Sequence, residues 1–167
     1  MAKKIRRIKL SSLIVVGEGP HDGAFLSHMK DLYDSRLTDQ KVKIASADGG
    51  SPKDILNTVI KNRHIAYDRK FVLMDSDVAL TQKDRELAKR NKIVIYHSEP
   101  ICLEGMLLDI LNENIPATNK ACKASLHPKL SGLPTEKSSY SALFTEVVLD
   151  STAKFTVQQL RKILLNI

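Results

Sequence analysis

The chain has 167 residues, 43% apolar and 27% charged, which suits one globular domain and includes no apolar run near the ~20 residues a membrane-spanning helix needs. Lys and Arg number 26 against 19 Asp and Glu, a net charge of +7 that favours an anionic partner, with nucleic acid the commonest candidate. Cys102 and Cys122 have neither zinc spacing nor the density of a disulfide scaffold, so two unpaired thiols in a reducing compartment are expected.

The chain opens with a basic run, Lys3 to Lys9, which reads as a solvated strand edge or tail. It lacks a signal-peptide apolar region and cleavage site, so a cytoplasmic location is expected. Leu13 to Val16 is the first apolar run, and it ends abruptly in Gly17-Glu18. Pro20 can start a helix carrying Phe25, Leu26, Met29, Leu32 and Tyr33 on one face. Lys41 to Ala47 alternates and predicts a less buried strand. Ser51-Pro52-Lys53-Asp54 supplies an N-cap, a proline at the first helical position and an acid in the first turn. Ile55, Leu56, Val59 and Ile60 form the apolar stripe of that helix.

Phe71 to Met74 is the third apolar run and ends in Asp75-Ser76-Asp77. Thr81 can cap a polar helix reaching about Arg90, and Ile93 to Tyr96 predicts a fourth strand. Leu103, Leu107, Leu108 and Leu111 predict a helix over Ile101 to Leu111. Asn114 to Ser139 reads as a long ordered loop or a partly helical cap over a site. Tyr140 to Val148 is expected to be helical, and Thr156-Val157-Gln158-Gln159 to open the last helix as a capping box. Strands alternating with helices predict an α/β fold: a four-stranded, mostly parallel, Rossmann-like sheet with helices on both faces. The expected division is a core over 1–112, with a C-terminal loop and helical extension over 113–167 packed on the same domain.

Carboxylates at the C-terminal ends of buried strands are where such folds place ligands. Glu18 lies between two glycines that let the chain turn sharply at the strand end. Asp22, in the first turn of the next helix, can be a metal ligand or a complement to the helix dipole. Asp75 and Asp77, two apart in an extended strand, point to the same side, so both carboxylates can reach one metal ion or a pair; the alternative is a polar turn with an aspartate capping the next helix. Such oxygen donors suit Mg²⁺ or Mn²⁺.

Gly17-Glu18-Gly19-x-x-Asp22 after one strand, Ala47-Asp48-Gly49-Gly50 after the second and Asp75-x-Asp77 after the third resemble the Toprim domain of topoisomerases, bacterial primases and OLD-family nucleases. Ser98 to Leu108 is similar to the segment after the last strand in small RloB-like and OLD-like Toprim proteins. The resemblance covers about residues 10 to 112. It implies Mg²⁺-dependent phosphodiester chemistry, with Glu18 as metal ligand or general acid/base, Asp75 and Asp77 holding Mg²⁺, and Asp22 completing a second site. OLD-like nucleases also use a basic residue, for which Lys120, Lys123 and Lys129 are available. The chain departs from the family's larger members. It has no topoisomerase tyrosine domain, no primase zinc region and no Walker A pattern, so an ATPase would have to be a protein partner.

Further candidates come from the residues alone. Glu104 is an added metal-ligand candidate, against the alternative of an exposed helical glutamate. His21 beside Glu18 can touch a phosphate or lie on a solvated first turn. Gly49 and Gly50 before a helix can cradle a phosphate or simply turn the chain. Lys123, one of the three lysines that the resemblance makes candidates, is added to the substrate-binding set. His28, His64, His97 and His127 show no triad or metal spacing. The expected function is a small nuclease in nucleic-acid processing or mobile-element defence. A non-catalytic nucleic-acid or partner-binding module and a nucleotide-sugar transferase using Asp75-x-Asp77 stand as alternatives.

Overall fold

A computed structural model describes residues 10–34, 36–61 and 65–167; the basic Lys3 to Lys9 run and His64 lie outside the described residues. Four strands form one parallel sheet in the order β2-β1-β3-β4: β1 (Ser11–Gly17), β2 (Gln40–Ser46), β3 (Arg69–Asp75) and β4 (Ile93–Ser98). The fold is α/β and Rossmann-like, with helices on both faces.

β1 is an interior strand covered on both faces, which explains its unbroken apolar run. Leu13 and Val15 join one core, while Ile14 and Val16 join the other. The first core also takes α1 (Pro20–Tyr33) and α4 (Leu103–Ile110); the second takes α2 (Pro52–Ile60) and α3 (Gln82–Arg90). The chain leaves β1 toward β2 over one face and returns past β1 to β3 over the other. Crossovers of a single hand require this change of face where the strand order reverses. The reversal puts the ends of β1 and β3 side by side at the topological switch point, where open α/β sheets bind ligands.

Local chemistry explains the helix starts. Ser51 and Thr81 each accept the N–H of the residue three ahead, Asp54 and Asp84, whose carboxylates reach back to the cap backbone. In α1, Asp22 Oδ2 accepts the Gly19 N–H at 3.1 Å. Gly17 must lack a side chain, because a Cβ there would lie 2.5 Å from the Asp22 Cβ. Gly17→Ala is expected to cost ~1–3 kcal/mol and to displace Asp22, read as a lower denaturant midpoint at unchanged slope.

The C-terminal segment differs in detail from the sequence expectation. Of the two expectations for Asn114 to Ser139, the partly helical one holds: α5 (Asn119–Leu126) lies there and packs on α4. Tyr140 to Val148 is not one helix: a 3₁₀ turn spans Lys137–Tyr140 and α6 covers only Glu146–Ser151. Tyr140 and Phe144, four residues apart, mimic a helical stripe because a single turn, closed by Phe144 N–H to Tyr140 C=O at 2.9 Å, seats both rings on Phe25. α7 (Phe155–Leu165) begins before Thr156, whose hydroxyl donates to the His97 carbonyl at 2.5 Å instead of capping the helix. Tyr140, Phe144, Leu149 and Leu160 share the apolar cluster of Phe25 and Leu26, so the extension and α1 bury a common core. Cys102 and Cys122 are buried and unpaired. Among the described residues, no helix is long and apolar enough to cross a membrane.

Candidate functional site: an acidic cleft at the strand ends

A cleft of about 230 Å³ lies over the ends of β1 and β3, lined by Glu18, His21, Asp22, Asp75, Glu104 and Lys123 with the Asp48-Gly49 turn. Each side chain has a traceable anchor. Glu18 follows the last residue of β1, and its Oε2 accepts the Asp75 N–H at 2.9 Å, tying the two strand ends together. Asp75 is the last residue of β3. Its Oδ1 accepts the Leu103 N–H at 3.0 Å and its Oδ2 accepts the Asn119 side-chain amide at 3.1 Å. Ile101 precedes these contacts with φ +67°, an unfavourable conformation for a β-branched residue, of the kind that collects at sites. Gly105 lets α4 close on this turn, since a Cβ there would run into the Pro100 carbonyl.

Glu104 is not an exposed helical glutamate. It is 2% exposed, and its Oε1 lies 3.0 Å from both His21 Nδ1 and His127 Nε2. Asp22 is also buried; its Oδ2 serves the helix start, while Oδ1 is enclosed without a hydrogen-bond partner among the described residues. The sequence left Asp22 between cap and ligand; Oδ2 takes the helix-start role.

Burial, reinforced by the neighbouring Asp75, holds the Asp22 carboxyl well above the ordinary aspartate range. The Asp75 carboxyl is pushed up to about 7, first by burial and then by the Glu18 charge. Lys123 is the only lysine or arginine among the lining residues. Among the described residues the cleft has more acid than base, and a divalent cation bound to these oxygens would let both aspartates ionise at neutral pH. The donor set of carboxylate oxygens fits Mg²⁺ or Mn²⁺.

Two candidates stand apart from the cleft. β3 ends at Asp75, so strand alternation does not carry on to Asp77; its carboxylate is on an exposed turn whose N–H donates to the Ile101 carbonyl at 3.0 Å. Its charge still adds to those raising Asp75. Gly50 is exposed at φ +105° beside the Asp54 carboxylate, which already occupies the Ser51 N–H at the start of α2. Gly49, at φ +80°, does line the cleft. Of the three candidate lysines, Lys129 pairs with Glu113 and Lys120 is exposed away from the lining set, leaving Lys123.

Asn119 and His127 were missed by sequence reasoning, and no local spacing marks either one. Another depression of about 390 Å³, lined by Tyr96, His97, Phe155 and neighbours, has Glu99 as its only acid. The molecule is thus an α/β protein with an acidic cleft at its topological switch point. No family model, curated protein or solved structure matches the chain.

Proposed function

We infer that the protein carries out Mg²⁺- or Mn²⁺-dependent phosphodiester chemistry on nucleic acid, as a small Toprim-type nuclease. The observation that carries this reading is the meeting of Glu18, Asp22 and Asp75 in one cleft, with two of the three buried and held above their ordinary range. Asp75 and Asp22 Oδ1 would hold the ion. When bound, the ion supplies Lewis-acid polarisation of a phosphoryl oxygen. Glu18 Oε1, the oxygen not used on the Asp75 N–H, would take a proton from the attacking water. Lys123, in the same cleft lining, offers a cation for a phosphate oxygen. The excess of 26 basic over 19 acidic residues supports a polyanionic substrate.

The test is cleavage of single-stranded and duplex DNA and RNA with Mg²⁺ or Mn²⁺, comparing wild type with Glu18→Gln. The substituted amide keeps a carbonyl that can accept the Asp75 N–H, so the strand ends stay tied while the charge is lost. Metal-dependent cleavage that falls by about a hundredfold or more in Glu18→Gln is the expected result. Cleavage equal in the two proteins, or salt-sensitive binding indifferent to chelator and without turnover, overturns it.

A further inference from the structure

We propose that His21, Glu104 and His127 form a second metal site, selective for a zinc-class transition-metal ion rather than Mg²⁺. One ligand atom from each residue lies within 4.8 Å of the other two, and the residues come from three separate places: α1, α4 and the turn after α5. Two imidazole nitrogens and one carboxylate oxygen match the donor set of open zinc centres, which leave a further position for water or substrate. Imidazole donors favour zinc, nickel and copper over magnesium, which demands near-octahedral oxygen ligation.

The two nitrogen–oxygen distances suit an ion, and the two nitrogens, which lie within 4.8 Å of each other, would close around it by rotation of the rings. In a tetrahedral zinc centre an imidazole nitrogen and a carboxylate oxygen are about 3.3 Å apart, and two imidazole nitrogens about 3.4 Å apart. Both nitrogens already sit 3.0 Å from Glu104 Oε1. The two rings meet edge to face at 4.8 Å between centroids. The imidazoles are about a quarter exposed, at 28% and 25%, so they can swing and admit an ion, whereas Glu104 at 3% is fixed beneath them. Tautomer exchange on the neutral rings turns each nitrogen from donor to lone pair without net proton loss. A buried carboxylate needs compensation, and two imidazoles with an ion between them supply charge that hydrogen bonds alone do not. The site adjoins the Glu18, Asp22 and Asp75 oxygens but shares none of their ligand atoms, so it does not depend on the nuclease reading.

The experiment uses the full chain, stripped with chelator and dialysed against Zn²⁺ in the presence of millimolar Mg²⁺, with metal content and thermal midpoint as readouts. Co²⁺ in place of Zn²⁺ adds a visible absorption band that reports imidazole ligation. Wild type is expected to retain one Zn²⁺ per chain and to melt higher than its stripped form. His127→Ala and His127→Gln should bind Zn²⁺ roughly a hundredfold more weakly or worse, since losing a ligand costs at least as much as losing its outer-shell support. His127→Gln keeps a hydrogen-bond donor toward Glu104, so its metal-free melting should match wild type and separate ligation from folding. Asp75→Asn should retain the zinc. Wild-type zinc affinity in both His127 variants, displacement by Mg²⁺, or loss in Asp75→Asn with retention in His127→Gln would each overturn the proposal.

Discussion

Asp75→Asn is expected to lower metal-dependent phosphodiester cleavage by about a thousandfold while making the metal-free protein more stable at neutral pH. The activity loss corresponds to ~4 kcal/mol, the scale of charge stabilisation by a metal that has lost a principal anionic ligand. The stability gain has a separate cause. Asp75 is a largely buried carboxylate surrounded by Glu18, Glu104 and Asp77, so its charge opposes folding when no cation is present. Asparagine has nearly the same shape and can still accept the Leu103 N–H. The Asn119 amide needs only to turn over to present its oxygen to the new NH₂ group. Steady-state cleavage and urea titration of the same preparation check both halves. A variant that is inactive and less stable would point to structural damage, whereas opposite signs are the mark of a site held against its own electrostatics.

Raising the pH from about 4 to 7 should destabilise the metal-free protein, and Mg²⁺ should reverse the loss. Asp75 titrates near 7 when folded against 3.8 when unfolded. Between these values the folded state binds more protons, so stability falls as pH rises and levels off above the folded pKa. Asp22, also raised, acts in the same direction and titrates jointly with Asp75. Asp75 alone is expected to contribute about 3 kcal/mol to the change in urea-derived stability, and Asp22 adds in the same sense. Asp54 and Asp84 work in the opposite sense. Their helix-start hydrogen bonds, to Ser51 and Thr81, lower their pKa values, so their contribution is present above the unfolded value and is lost as pH falls through the folded one. The metal-free protein should therefore be most stable in mildly acidic solution. A hundredfold excess of Mg²⁺ over its dissociation constant should restore ~2.7 kcal/mol at neutral pH. A stability profile that is flat from pH 4 to 7, or unmoved by Mg²⁺ above 7, would contradict this account of the cleft.

The parts of the site legible in the sequence are those that depend on local chain geometry. A parallel strand covered on both faces must be apolar along its length, so the point where Leu13 to Val16 and Phe71 to Met74 give way to acid marks the strand end. Helix starts are equally local: Ser51 and Thr81 satisfy amides three residues ahead of them. Glu18 and Asp75 could therefore be singled out from sequence, and the switch-point rule brings their strand ends together. Asp77 marks the limit of that reasoning, because alternation applies only while the strand continues and β3 stops two residues earlier.

Tertiary packing alone decided what meets those carboxylates. Asn119 is 44 residues from Asp75, and His127 is 23 from Glu104. Periodicity over one or two helical turns carries no information across such separations. Docking of α5 on α4 brings both side chains in, and it also turns a glutamate in a leucine-rich helix into a buried ligand candidate. The same physics explains Thr156, whose hydroxyl suits a cap in isolation but is taken by the His97 carbonyl once α7 lies beside β4. Strand ends and helix starts are set by groups within a few residues of one another. The partners that tune their charge arrive from distant segments, and only burial of the shared apolar core determines which of those segments comes close.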